Sequence, residues 1–189
     1  MLELVETAIA DVKILKLRRF DDARGYFAET YNKEALAELG IDFEAIQDNE
    51  SLSVAPGTIR GLHFQKPDAA QSKLVRVLSG SIFDVAVDLR RGSPNYGRHV
   101  GVTLTAEEGR QMLIPKGFAH GFCTLAPNTR VFYKVDAHYS QTLDAGLIWN
   151  DPDLAISWPV PRNGAILSDK DGRLPRFAEF DSPFDYSAA

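Results

Sequence analysis

The stretch Gly109-Arg110-Gln111-Met112-Leu113-Ile114-Pro115-Lys116-Gly117-Phe118-Ala119-His120 governs the reading of the whole chain. Two apolar runs too short for a buried helix, Gln111–Ile114 and His120–Leu125, stand on either side of a Pro-x-Gly break. Working outward, the same texture repeats. Val12–Phe20, Tyr26–Tyr31, Val100–Leu104 and Val131–Val135 read as further short strands, and Leu74–Leu78 and Ile82–Leu89 flank Ser79-Gly80, which predicts a hairpin. Only Asn32–Leu39 reads as helix, with Asn32 as cap, Ala35, Leu36 and Leu39 at helical spacing, and Gly40 as terminator. Many short strands with no helices between them predict a mainly β fold, a sandwich or barrel with a few short helices. The 189 residues show no fixed-period repeat and no Pro/Gly/Ser linker, so one domain over 1–189 is expected.

Composition narrows the function. The net charge of -5 offers no general basic surface for nucleic acid, although a few arginines and lysines gathered in one cleft would still hold an anion. The single cysteine, Cys123, forbids an intrachain disulfide and lies in an apolar run that predicts an inert buried thiol. No apolar run approaches the roughly 20 residues that span a bilayer. The segment Met1–Asp11 carries Glu3, Glu6 and Asp11 and lacks the basic start of a signal peptide. A cytoplasmic protein with no membrane contact is expected.

Strand alternation singles out two polar residues. Lys73 shares parity with Val75 and Val77, and Tyr133 with Val131 and Val135, so both point toward the apolar interior if the strands are regular. A bulge that breaks either alternation would turn them to water instead.

The opening stretch also fits the second cupin motif, Gly, five residues, Pro-x-Gly, two residues, His, and Gly57 precedes His63 by the spacing of the first. This resemblance implies a cupin-type jelly-roll β-barrel. The metal-binding cupins carry His-x-His and then a Glu. Here Gln65 stands for the second imidazole and Lys73, six residues short of Gly80, for the Glu. A protonated lysine has no lone pair to give, and two histidines alone hold zinc or iron poorly. No metal and no other cofactor is expected. A lysine there suits a different task, stabilising a developing oxyanion.

Around this skeleton lie the strings Asp22–Glu29, Gln47–Asn49, Arg60–Gln65, Gln71–Arg76, Ile114–Phe122, Tyr133–Lys134, Trp149–Pro152 and Leu167–Asp171. In this order and spacing they closely resemble the dTDP-4-dehydrorhamnose 3,5-epimerase family over about residues 13–176. The resemblance implies a homodimer acting on a dTDP-linked 4-keto-6-deoxy sugar, with inversion at carbons 3 and 5. Carried over residue by residue, it makes His63 the base, Asp171 its partner carboxylate, Lys73 the enolate stabiliser and Tyr133 the acid, a role that a phenol of pKa about 10 fills provided the pocket and Lys73 lower that value. It assigns substrate contacts to Arg24, Glu29, Gln47, Asp48, Asn49, Arg60, Lys73, His120, Tyr139, Asp144 and Lys170. Asp144 replaces the family's usual Glu and is one methylene shorter. The N-terminal strands are expected to cross to the partner, so Arg24 and Glu29 would serve the neighbouring site.

Other readings remain open at this stage. Arg24 and Glu29 could form a plain surface ion pair, His120 could be a structural core histidine, and Asp171 could cap a turn. Arg76 and Lys134 read as strand-face charges or dimer contacts, and Trp149 and Trp158 as core or interface aromatics. Rival activities are a single-carbon epimerase, a ketoisomerase, a metal-dependent cupin and a non-catalytic nucleotide-sugar-binding cupin.

Overall fold

The computed structural model describes residues 2–161 and 164–187. Thirteen strands appear among them. They are β1 (Glu3–Val5), β2 (Lys13–Lys16), β3 (Phe20–Asp22), β4 (Gly25–Phe27), β5 (Gln47–Ser53), β6 (Ile59–Gln65), β7 (Lys73–Ser79), β8 (Ser81–Asp88), β9 (His99–Thr105), β10 (Arg110–Ile114), β11 (Phe118–Thr124), β12 (Thr129–Val135) and β13 (Asp144–Gly146). One six-stranded sheet runs β1-β2-β10-β7-β12-β5 and a five-stranded sheet runs β13-β6-β11-β8-β9, all pairs antiparallel. β3 and β4 form a separate hairpin. This is the expected jelly-roll sandwich, and none of the described helices is long and apolar enough to cross a membrane.

Alternation along the strands sorts the apolar residues into three layers. Ile14, Val75, Val77, Met112, Ile114 and Val131 from the larger sheet meet Ile82, Ala86, Val100, Leu104, Phe118 and Phe122 from the smaller one. On the other side of the larger sheet, Leu15, Leu74 and Leu113 pack under Leu36 of the helix α1 (Lys33–Glu38). Outside the smaller sheet, Leu62, Phe64, Val85, Val87, Ala119 and Cys123 are covered by Leu154, Trp158 and Phe184. Each fully buried aliphatic or aromatic side chain contributes roughly 1.5–3 kcal/mol, so all three layers matter to stability.

The helix forms where its sequence signals place it: Asn32 Oδ1 accepts from the backbone N–H of Glu34 and Ala35, and Gly40 follows at φ +72°. Trp158 is a core aromatic, its indole N–H bonded to the Trp149 carbonyl, and Cys123 is buried. Three strand expectations need correction. Val12–Phe20 divides into β2 and β3, because the chain leaves the larger sheet after Lys16. Tyr26–Tyr31 is a strand only to Phe27. The Ser79-Gly80 hairpin does not exist. β7 and β8 belong to different sheets, so Gly80 marks a corner between layers.

That corner requires glycine. Gly80 has φ +79°, and a Cβ on it would stand 2.3 Å from Thr129 Oγ1. Gly80→Ala is expected to lower stability by about 1–3 kcal/mol. Urea unfolding should show the midpoint falling with the slope unchanged.

Candidate active site

The layer between the sheets is not apolar throughout. Toward one end it opens into a cavity of about 400 Å³ lined by both sheets. From the five-stranded sheet come Arg60, His63, His120 and Phe122, and from the six-stranded sheet Ser51, Lys73 and Tyr133. The loop Ile166–Asp171 closes one side. A second cavity of about 380 Å³ shares His63, Lys73, Tyr133 and Lys170 and extends the space past Gln47, Asn49, Gln65, Tyr139 and Asp144.

Register explains why these side chains converge. Lys73 and Tyr133 lie on adjacent strands as diagonal neighbours, since Lys73 pairs with Val135 and Tyr133 with Val75. The expected inward parity therefore holds for both. A bulge does interrupt β12, but between Arg130 and Val131, upstream of the residues whose alternation matters. Asn49 stands opposite Tyr133 and Gln47 opposite Val135, so both face the same space. Asp48, between them, points outward and pairs with Lys134 at 2.9 Å. Asp48 thus lies outside both cavities, and the pair accounts for Lys134.

On the smaller sheet, His63 pairs directly with His120. Arg60 and His63 differ in parity, so a regular strand would send them to opposite faces. The β6–β11 register shifts between the His120–His63 and Phe122–Arg60 pairs, and this bulge returns both to the cavity. Gly61 permits it: its φ is +124°, and a Cβ there would stand 2.6 Å from Gly121 Cα.

The electrostatics are specific. His63 Nε2 lies 2.5 Å from Asp171 Oδ1. Asp171 opens a short 3₁₀ turn, Asp171–Arg173, but its carboxylate is spent on the imidazole rather than on a cap. Burial pushes its carboxyl pKa up, yet the His63 hydrogen bond and charge, with Ser168 and the Gly61 backbone, hold it below the ordinary value. His120 is buried and its Nε2 bonds Asp84 Oδ1 at 2.7 Å. Burial lowers its pKa against the raising effect of Asp84, so it is a neutral ring at neutral pH.

Lys73 faces the cavity with its pKa pulled down to about 8 by desolvation, against the attraction of Asp144 and Asp84. Tyr133 goes the opposite way from expectation. Burial raises its phenol pKa, Arg60 opposes the rise, and Lys73 is not the agent. The phenol is therefore firmly protonated at neutral pH.

Asp144, despite its shorter side chain, reaches Lys170 in an ion pair, Tyr139 Oη at 3.1 Å and Gln65 Nε2 at 3.5 Å. Arg60 donates to the Leu52 carbonyl and Ser53 Oγ at the rim. Arg24 and Glu29 lie outside both cavities, on or after the β3–β4 hairpin. They do not pair with each other: Arg24 is bound to Asp22.

Two contributors escaped the sequence reading. Asp84 is fully buried, with Oδ2 lacking any partner among the described residues, and Ser51 Oγ is likewise unpartnered at the cavity wall. A buried polar atom left unpaired costs about 1–3 kcal/mol, and the Asp84 charge acts on both His120 and Lys73, favouring their protonated forms. The only sequence signal for Asp84 was a charge inside the apolar run Ile82–Leu89.

The donor set does not suit a metal. Both inward imidazoles have Nε2 engaged by a carboxylate, and an ammonium stands near them. Among the described residues no group of three or more His, Cys, Asp or Glu is placed to hold an ion.

Comparison with known proteins gives this geometry a family. The family model described as dTDP-4-dehydrorhamnose 3,5-epimerase matches residues 6–179. A Sinorhizobium fredii protein of that name is 48% identical over 179 residues, covering 95% of this chain and 91% of the relative. The Bacillus anthracis enzyme, solved with TDP and pyrophosphate bound, superposes with a TM-score of 0.91 at 52% identity, covering 94% of this chain and 100% of that one. A Legionella pneumophila enzyme in complex with dTDP-4-keto-L-rhamnose reaches 0.95 at 40% identity, with full coverage of both chains. The chain belongs to the dTDP-4-dehydrorhamnose 3,5-epimerase family.

The Lys73 pKa has a consequence for stability. A fall from 10.5 to about 8 means that the folded ammonium is disfavoured by ~3 kcal/mol relative to the unfolded chain. The unfolded state therefore holds the proton more tightly between pH 8 and 10.5, and stability rises with pH across that window. Lys73→Met should stabilise the protein by about 1–3 kcal/mol at pH 7. Denaturant titrations at pH 7 and pH 10 should show that advantage shrinking at the higher pH.

Proposed function

We propose that this protein is a dTDP-4-dehydrorhamnose 3,5-epimerase that inverts carbons 3 and 5 of dTDP-4-keto-6-deoxy-D-glucose through enolate intermediates, giving dTDP-4-dehydro-L-rhamnose. The observation that carries the site assignment is the convergence of His63, Lys73 and Tyr133 on one cavity from two opposed sheets. Inversion beside a ketone needs a base on one face, an acid on the other and a cation at the carbonyl oxygen between them.

The roles follow from the surroundings of each group. His63 is the base. Its Nε2–H donates to Asp171, which leaves Nδ1 free to take the carbon-bound proton, and the carboxylate supports the resulting charge. Lys73, which lines the cavity between the two sheets, stabilises the enolate oxygen. Tyr133 enters from the other sheet and returns a proton to the opposite face. Its raised pKa suits a donor, and Arg60 nearby eases formation of the phenolate. Arg60 and Lys170 meet the diphosphate, while His120, Gln47, Asn49, Tyr139 and Asp144 shape the space around sugar and base.

We infer further that the protein is a cytoplasmic homodimer of one-domain subunits. The β3–β4 hairpin leaves Phe20 50%, Tyr26 55% and Phe27 70% exposed, an unusual amount of aromatic surface for a subunit alone. Docked on a second copy, it would deliver Arg24 and Glu29 to the neighbour's cavity.

In deuterated water the dTDP ketosugar should take up two deuterons, at carbons 3 and 5, as read by proton NMR. No uptake would remove the catalytic assignment, and uptake at one carbon only would make the protein a single-site epimerase. His63→Ala should lose about 10²–10⁴-fold in kcat with binding largely kept. Wild-type turnover should decline as pH rises through about 8, where Lys73 gives up its proton, and should be full in the presence of chelator.

Subunit sharing has its own test. Arg24→Ala and His63→Ala subunits, co-expressed with two different tags and purified as the mixed dimer, should recover one working site. A mixed dimer no more active than its parents would return Arg24 to its own chain or to no role.

A further inference from the structure

The string Trp149-Asn150-Asp151-Pro152 lies outside both cavities and has no part in the proposed reaction. Asp151 is nonetheless 3% exposed and fully bonded. Its Oδ1 accepts the backbone N–H of Asp153 at 2.9 Å and of Leu154 at 3.2 Å, and its Oδ2 accepts that of Phe177 at 2.8 Å. One carboxylate thus ties the loop after β13 to the segment that follows the Asp171 turn.

That segment carries the partner of the base, and it is held by packing of Leu167, Phe177 and Phe180 on the outer core together with a set of specific hydrogen bonds. Upstream, Ser168 Oγ accepts the Asp171 N–H and Ser168 O accepts that of Gly172. Downstream, Pro175 O accepts the Ile148 N–H and Phe177 is held by Asp151. Leu174 lies against Gly146, where even a Cβ would stand 2.9 Å from its Cδ1. Gly146 is itself the strand partner of His63, and Leu147 exchanges two backbone hydrogen bonds with Leu62. Residues 146–151 therefore form a bracket that grips the strand of the imidazole on one side and the turn of its carboxylate on the other.

We infer that Asp151 is a positioning residue for the epimerisation, fixing Asp171 against His63 by clamping the backbone at Phe177. The inference rests on the reading of His63 as the base. Only a forked acceptor serves both loops. An amide in its place keeps one oxygen but turns an NH₂ toward the other N–H donors, so one of the two ties is lost. An error of about 1 Å in the imidazole–carboxylate contact is enough to slow a proton transfer by about 10²-fold. The charged or titratable groups facing the His63–Asp171 pair are Arg60 on β6, Lys73 on β7, His120 on β11, Tyr133 on β12 and Lys170 beside Asp171. None of them bonds to Asp151.

The test compares Asp151→Asn with wild type and with Leu154→Ala, a cavity mutant in the same outer core. Asp151→Asn should lower kcat by about 10–10²-fold with KM within about twofold, and should move the acid limb of the kcat profile, because the pair titrates differently once the carboxylate is loosely held. Leu154→Ala should lose stability while keeping kcat and the pH profile. If Asp151→Asn loses stability but keeps both kcat and profile, Asp151 is structural only and the inference falls. It falls equally if Leu154→Ala reproduces the kcat loss, since general loosening would then suffice. A wild-type enzyme that exchanges no substrate protons would instead overturn the epimerase reading itself.

Discussion

An ammonium in the space where two β-sheets face each other is the constraint on which the rest of this protein depends. Lys73 stands on the strand that also supplies Val75 and Val77 to the apolar layer, so its charge lies one pleat from the core. The surroundings answer that burden without cancelling it. Asp144 and Asp84 contribute negative charge, but among the described residues no carboxylate takes the ammonium into a direct pair. In the proposed reaction the charge is left available to an oxyanion that exists only during turnover, which is the condition for stabilising a transition state more than a ground state.

The other polar groups follow from the sandwich geometry. A proton must leave one face of the sugar and arrive at the other, and two opposed sheets provide two walls. His63 on the smaller sheet and Tyr133 on the larger one occupy them, with opposite electrostatic preparation. The imidazole is backed by a carboxylate, so it can accept. The half-buried phenol is held protonated, as the proposed donor requires. The bulge at Gly61 lets the strand that presents His63 present Arg60 to the same cavity, placing a guanidinium beside the imidazole at the expense of one regular register. The carboxylate itself comes from a late turn clamped to the same sheet, so the base and its partner are assembled from segments 108 positions apart.

Much of this was legible in the residues. Lys73 and Tyr133 were readable as inward by alternation because the strands around them are regular where it counts, and the one bulge in β12 falls above Val131. The cap at Asn32 was readable because capping is a contact between near neighbours. Asp48 parts from Gln47 and Asn49 because a motif names consecutive residues, whereas a strand sends its middle member to the far face. Ser79-Gly80 was misread because a tight turn looks the same in sequence whether its strands pair or part into two sheets. Asp84 went unseen because an isolated aspartate in an apolar run carries no sign of the histidine it meets across the sheet, 36 positions later.

By itself, then, the sequence determined the β texture, the α-helix and the order of the chemical strings. These are properties of residue type, period and short-range contact. The tertiary structure alone decided which sheet each strand joined, that Arg60 and His63 share a face, that Tyr133 is held protonated by burial rather than eased by Lys73, and which carboxylate holds which histidine. Those outcomes depend on long-range pairing register and on desolvation, and both come into being only when distant segments close a common interior.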